Sequence, residues 1–210
     1  MTTINKETMN DQAYNLLRDK IIKQELALGE RIDLKNIAAE YNVSIMPVRD
    51  ALLRLANQGL IINKPRVGYF VRTFSAEEIK EIMEVRRMYE IYCLTEYFDN
   101  IDRTELKQNL SLHGNDKEVS LPRNEFDRLD INLHDCIIKA ANNGYISSQY
   151  NQLLSIFLLF RYLNLDRYQQ AYNEHQELLK SIIADDRKMA TDILNKHITG
   201  VTAGILKNLG

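Results

Sequence analysis

The sequence predicts a mainly α protein: an N-terminal winged helix-turn-helix with a small β-hairpin wing, then a C-terminal all-α bundle of about six helices. Three observations predict it. Before Gly59, three short runs carry apolar residues at helical spacing. Directly after them, two β-patterned runs flank Lys64-Pro65-Arg66-Val67-Gly68. From Ser75 onward every apolar pattern is helical and none alternates. A chain of 210 residues that is 45% hydrophobic can bury a sizeable core, as one large domain or two small ones.

The first helix is expected from about Asp11 to Lys23, with Ala13, Leu16, Leu17 and Ile21 on one face. Leu28-Gly29-Glu30-Arg31 then breaks the pattern. Asp33 is placed to cap a second helix whose apolar face is Leu34, Ile37, Ala38 and Tyr41. Tyr41-Asn42-Val43 makes a tight turn, and Asn42 is among the few residues besides glycine that tolerate a positive φ. Ser44 caps a third helix that runs through Gln58. Pro47 falls in its first turn, where a missing N–H removes no intrahelical bond, and Gly59 ends it. Leu60-Ile61-Ile62-Asn63 and Tyr69-Phe70-Val71-Arg72 read as the two strands of the wing.

Within the third helix, Val48, Ala51, Leu52 and Leu55 repeat at helical spacing and face the core. Ser44, Ile45, Met46 and Arg49 therefore project outward from the helix N-terminus. That end suits the DNA major groove, because backbone N–H groups meet phosphates and side chains reach base edges. Charge agrees with this placement. Residues 1–74 hold 11 Lys and Arg against 8 Asp and Glu, whereas residues 75–210 hold 16 against 21, so the net charge of -2 is unevenly spread. A basic segment in an acidic chain points to a polyanionic partner; a solvated surface is the plainer alternative.

The blocks Gly29-Glu30-Arg31-Ile32, Ile37-Ala38-Ala39-Glu40-Tyr41-Asn42-Val43-Ser44, Pro47-Val48-Arg49-Asp50-Ala51-Leu52, Gly59-Leu60-Ile61 and Gly68-Tyr69-Phe70-Val71 resemble the DNA-binding domain of GntR-family transcriptional regulators over about residues 10–72. The resemblance implies that Arg49 contacts DNA and that Gly68 lets the wing approach the minor groove. The candidate DNA-binding set is Lys35, Ser44, Ile45, Met46, Arg49, Arg66 and Gly68. Two positions depart from the family pattern: Ile45 replaces the usual arginine after the capping serine, and Asn42 replaces the usual turn glycine. Operator sequence therefore does not carry over.

A junction at Thr73-Phe74-Ser75 divides a domain at 1–74 from one at 75–210. Helices are expected near 76–98, 102–111, 123–142, 145–163, 165–184 and 186–208, with His113-Gly114-Asn115-Asp116 as the one extended loop. Three of the four histidines lie on apolar stripes. Asp130 and His134 edge the stripe of Leu129, Leu133, Ile137 and Ala140. His175 belongs with Tyr172, Leu178, Leu179 and Ile182, and His197 with Ile193, Leu194, Val201 and Ile205. Buried polar groups are costly unless satisfied, and one divalent transition metal would satisfy all four. The alternative is a set of core residues bonded to ordinary partners.

The same residues resemble the FCD effector domain of the FadR subgroup, at Asp130-Ile131-Asn132-Leu133-His134, Glu174-His175 and His197, and at Glu84-Val85-Arg86 with Glu90. About six helices suits its shorter, VanR-like branch. The resemblance implies that Asp130, His134, His175 and His197 hold a metal; the donor set is compatible with zinc, nickel, iron or manganese. Two open coordination positions would admit the carboxylate of a small organic acid, with Arg86 and Arg161 as candidate effector-binding residues. The expected protein is a DNA-binding regulator, a repressor as most of the family are, acting on double-stranded operator DNA as a homodimer. Two alternatives stay open: a regulator for which the ion is the signal, and a metal-dependent enzyme using the same site. The enzyme alternative finds no HExxH motif and no nucleophile elbow.

The composition excludes other classes. The longest apolar run, Leu153 to Phe160, spans eight residues including Ser155 and is too short for a bilayer, so no membrane partner is expected. The polar N-terminus lacks the apolar core of a signal peptide. Cys93 and Cys136 form no CxxC and no disulfide framework, which suits a reducing cytoplasm.

Overall fold

The computed structural model describes residues 8–113 and 122–209. Its described residues form nine α-helices and one three-stranded antiparallel sheet, in two compact units. One unit comprises residues 1–74 with 152–162; the other comprises 75–151 with 163–210.

In the first unit, α1 spans Met9–Ile22 and begins earlier than the apolar spacing indicates. The reason is a capping box: Thr8 accepts from the Asp11 N–H, and the Asp11 side chain reaches back to Thr8. Helix α2, Leu34–Glu40, is capped by Asp33, whose Oδ1 accepts from Lys35 N at 2.8 Å and Asn36 N at 3.2 Å. Asn42 takes φ 51° in the turn. Helix α3 is Ile45–Asn57; Ser44 precedes it with extended backbone, but its hydroxyl makes no capping bond. Gly59 ends the helix at φ 74°. Leu17, Ile21, Val48, Ala51, Leu52, Leu55 and Leu60 form the core between these helices and the sheet.

The wing strands are β2, Ile61–Lys64, and β3, Gly68–Val71, paired from Ile61 with Val71 to Lys64 with Gly68. A third strand, β1 at Arg31–Ile32, adds to the other edge of β3 in the order β1-β3-β2. The sequence placed this segment in a break, and the sheet is not confined to the hairpin. Two residues are too short to show alternation; what makes them a strand is pairing with β3, which is remote in sequence.

The second unit holds α4 (Ala76–Glu96), α5 (Arg103–His113), α6 (Arg123–Lys139), α8 (Tyr168–Ile183) and α9 (Arg187–Leu209). Helix α7, Gly144–Tyr162, contributes its first half here and its second half to the first unit. The six helices match the expected number. Ser75 and Glu78 form a capping box that starts α4 directly after the wing segment. Helix α4 packs on α9 and α6, and α8 packs on α9, α5 and α6. His113 is the last residue of α5 rather than part of a loop, and the remainder of the expected loop, Gly114-Asn115-Asp116, lies outside the described residues. Cys93 and Cys136 are buried free thiols, and burial pushes them up to about 11 and about 12. Among the described residues no helix is long and apolar enough to cross a membrane.

Candidate functional site

Helix α3 presents one apolar and one open face. Val48, Ala51, Leu52 and Leu55 are buried, while Ser44, Ile45, Met46 and Arg49 are exposed at its N-terminal end. Lys35 is exposed on α2. Arg49, Lys35 and Arg66 have no side-chain hydrogen bond or ion pair among the described residues, unlike Arg54, which pairs with Asp11 at 3.2 Å and lies over the Tyr14 ring. In the wing, Arg66 takes φ 64° and Gly68 φ 134°. Arg31, which the sequence did not single out, braces this tip: its Nη2 donates to Val67 O at 3.0 Å. The φ of Gly68 is one that L side chains rarely adopt, which favours glycine there; space is not the reason, since a Cβ would make only ordinary contact with Arg31 Nε at 3.4 Å.

In the second unit, α6, α8 and α9 each bring one histidine to a common point. The candidate ligand atoms of His134, His175 and His197 lie within 4.8 Å of one another, and each residue is 4% exposed or less. His175 Nε2 is 3.4 Å from His197 Nε2 and 3.3 Å from Asp130 Oδ1; His134 Nε2 is 3.8 Å from the same oxygen. Ligand bonds of about 2.0–2.1 Å place tetrahedral donors roughly 3.3 Å apart, so the His175, His197 and Asp130 spacings fit a zinc-sized ion. His175 is steadied from outside by the Phe126 ring, stacked at 5.6 Å.

Two buried glutamates orient the rings. Glu90 Oε2 accepts from His134 Nδ1 at 2.7 Å, and Glu174 Oε2 accepts from His197 Nδ1 at 2.8 Å. With the proton held on Nδ1, each Nε2 lone pair faces the common point, as metal-ligating histidines require. Glu90 also accepts from Arg86 Nε at 2.7 Å and from the Tyr150 hydroxyl at 2.6 Å. Glu174 accepts from Arg167 Nη2 at 2.6 Å and Gln170 Nε2 at 3.1 Å. The sequence quoted Glu90 and Glu174 but gave them no role, and it missed Tyr150 and Arg167 entirely. The Arg86-to-Glu90 spacing of four on one helix was the available signal.

The electrostatics follow from these contacts. Burial alone would raise Glu90, but Arg86 and His134 outweigh it and hold this carboxyl well below its usual range. Burial likewise opposes the charge on Arg86, yet Glu90, Tyr150 and Asp130 more than compensate, so the guanidinium stays charged. His197 is lowered, chiefly by burial, with the Glu174 bond partly offsetting it; it is neutral at pH 7. Burial would raise Glu174, but its His197 bond and Arg167 leave it lowered. Among the buried groups around the centre, three carboxylates (Asp130, Glu90, Glu174) outnumber two guanidiniums (Arg86, Arg167). The deficit of one positive charge favours a bound cation.

Arg86 touches this centre directly: its Nη2 is 3.1 Å from His134 Nε2. Arg161 is half-buried on the second half of α7 and belongs to the first unit.

A winged helix-turn-helix joined to a helical unit defines a class of DNA-binding transcription regulators. The comparisons narrow the class. Residues 9–71 match the family described as "Bacterial regulatory proteins, gntR family", and residues 81–200 match the FCD domain. The chain is 30% identical over 200 residues to the gluconate operon transcriptional repressor of Bacillus subtilis, covering 90% of this chain and 81% of the repressor. Among solved structures it is similar to a GntR regulator from Rhodococcus sp. RHA1 (TM-score 0.77, 22% identity, 94% of this chain and 97% of that one). It is also similar to the Zn2+-bound FCD domain of TM0439 (TM-score 0.58, 34% identity, 65% of this chain and 97% of that one). The chain belongs to the GntR family, in the FadR-like subgroup with an FCD domain; it is a transcription regulator and not an enzyme.

Proposed function

We propose that the chain is a homodimeric repressor whose operator affinity is set by a small organic acid bound at a metal centre in its second domain. In this reading residues 1–74 bind DNA, and residues 75–210 bind the effector and dimerise. The observation that carries the proposal is the convergence of three imidazole rings and one carboxylate oxygen on one buried point. Asp130, His134, His175 and His197 are assigned as ligands of one divalent transition metal. The Zn2+ in the TM0439 domain supports zinc. The gluconate operon repressed by the Bacillus subtilis relative supports an organic acid as effector class. Two half-sites in a two-fold operator match a dimer.

When bound, the metal would supply Lewis acidity and a fixed positive charge for the effector carboxylate. The protein residues do the rest. Glu90 and Glu174 hold the rings in one tautomer. Arg86, once His134 Nε2 serves as a ligand, is released from it and becomes a donor for the carboxylate. Arg161, the other candidate offered by the sequence, belongs to the first unit and is given no part in this centre. Arg86→Lys tests the arrangement while leaving a cation beside Glu90. Metal content should be unchanged, but a carboxylic acid that raises the melting temperature of the wild type should lose most of its effect on operator affinity. Coupling of this kind is typically about 5–150-fold. An Arg86→Lys variant with full effector response would refute the assignment.

Metal retention should fall as pH drops. His197 is lowered relative to an ordinary histidine of about 6.5, so proton competition at this ring begins below that value. The stability contribution has the same sign. It is present above about pH 6.5 and is lost as pH falls through the depressed folded-state value, because the unfolded chain then binds the proton more readily. Elemental analysis after dialysis across this range reads out the first effect and metal-free thermal melts the second. Occupancy that rises on acidification would contradict both.

A further inference from the structure

Residues 75–210 are acidic overall, with 16 Lys and Arg against 21 Asp and Glu, yet one cleft of this unit is cationic. It measures about 610 Å³ and is lined by Arg87 of α4, Arg167 and Gln170 around the start of α8, and Asn195, Lys196 and Thr199 of α9. No carboxylate lines it. Arg87 and Lys196 make no ion pair among the described residues.

Arg167 is the unusual member. Its side chain is 9% exposed, and although Nη2 is bonded to Glu174, Nη1 is buried with no hydrogen-bond partner among the described residues. The guanidinium is seated against α9 at Gly200, where any Cβ would overlap it. A glycine inside a helix is unfavourable relative to alanine, and an unmet buried donor adds a further cost. Both costs make sense if this donor has an outside acceptor.

We infer that this cleft binds a phosphate group, either free inorganic phosphate or a small phosphate monoester, at a site separate from the histidine centre. Two unpaired cations, Arg87 and Lys196, beside the unmet Nη1 donor of Arg167 call for a multiply charged anion. Three neutral polar side chains beside them suit the several acceptor oxygens of a phosphate, which carries about -1.5 to -2 charges at pH 7. The site is also wired to the centre. Arg167 Nη2 lies 2.6 Å from Glu174 Oε1, and Glu174 Oε2 lies 2.8 Å from His197 Nδ1. An anion on Arg167 weakens its pull on Glu174, which then accepts more strongly from His197 and makes that ring a better donor to a metal. This coupling rests on the metal reading; the anion site itself does not.

The experiment is calorimetric titration of the full chain, metal-loaded and chelator-stripped, with inorganic phosphate and with glycerol phosphate at constant ionic strength. Saturable binding of one phosphate per chain is expected in both forms. Arg87→Gln and Lys196→Gln, both at exposed positions, should each weaken it roughly tenfold with unchanged melting temperature. Tighter binding of the monoester identifies a phosphorylated metabolite as the ligand; equal binding identifies free phosphate. Metal-loaded protein should bind phosphate more tightly than stripped protein, and equal affinities would overturn the coupling. Binding that vanishes on metal removal yet ignores both cleft variants would place the anion on the metal and overturn the site, as would the absence of saturable binding.

Discussion

His175→Ala and His197→Ala are expected to come from purification with little bound metal and a lower melting temperature. A ligand that binds only the folded state stabilises it by about 3–4 kcal/mol when present at 100–1,000 times its dissociation constant. At roughly 2–4 °C per kcal/mol for a chain of this size, the transition should fall by about 6–15 °C. Cavity formation at these fully buried positions adds to that loss. The two causes separate with a chelator. Wild type should fall toward the variants when stripped, whereas the variants should not respond. Asp130→Asn tests the fourth ligand in the same way, and His113→Ala, outside the set, should retain full metal. Variants of His175 and His197 that keep one equivalent of metal would refute the centre.

The second large effect is on DNA. Arg49→Ala should weaken operator binding by about 1–3 kcal/mol, or roughly 5–150-fold, with folding and metal content unchanged. The side chain is exposed and engages no other described residue, so its loss removes nothing from the folded chain. Anisotropy titrations over a range of salt also tell which contact is lost. A phosphate contact lowers the salt slope by about 1 and weakens all sequences alike, whereas a base contact relaxes discrimination at one position. Unchanged affinity in a folded variant would remove α3 from the role of reading helix.

Much of this was legible in the sequence because it depends on local spacing. Val48, Ala51, Leu52 and Leu55 face inward by helical periodicity alone, and all are buried. Asn42 at a positive φ follows from what its side chain tolerates. Asp130 and His134 share a face because they are four residues apart. What stayed hidden depends on pairing across the chain. Strand β1 exists only through β3. Tyr150 reaches Glu90 across sixty residues, and Arg31 braces a wing tip 36 residues away. The rings were thus visible as a set, but the carboxylates that aim them were visible only as neighbours in sequence. The membership of 152–162 in the first unit is of the same kind, since half a helix carries no mark of which unit it packs with.

The depth of the histidine centre sets a clock. Its three rings expose 4% of their surface or less, and Glu90 ties α4, α6 and α7 together directly behind one of them. An ion held by rings this deep would exchange more slowly than one at a surface cleft, because its release needs the surrounding helices to loosen. Metal acquired as the chain folds would then outlast many rounds of operator binding and release. Such an ion records the conditions under which the protein was made, and moment-to-moment signals are left to faster ligands.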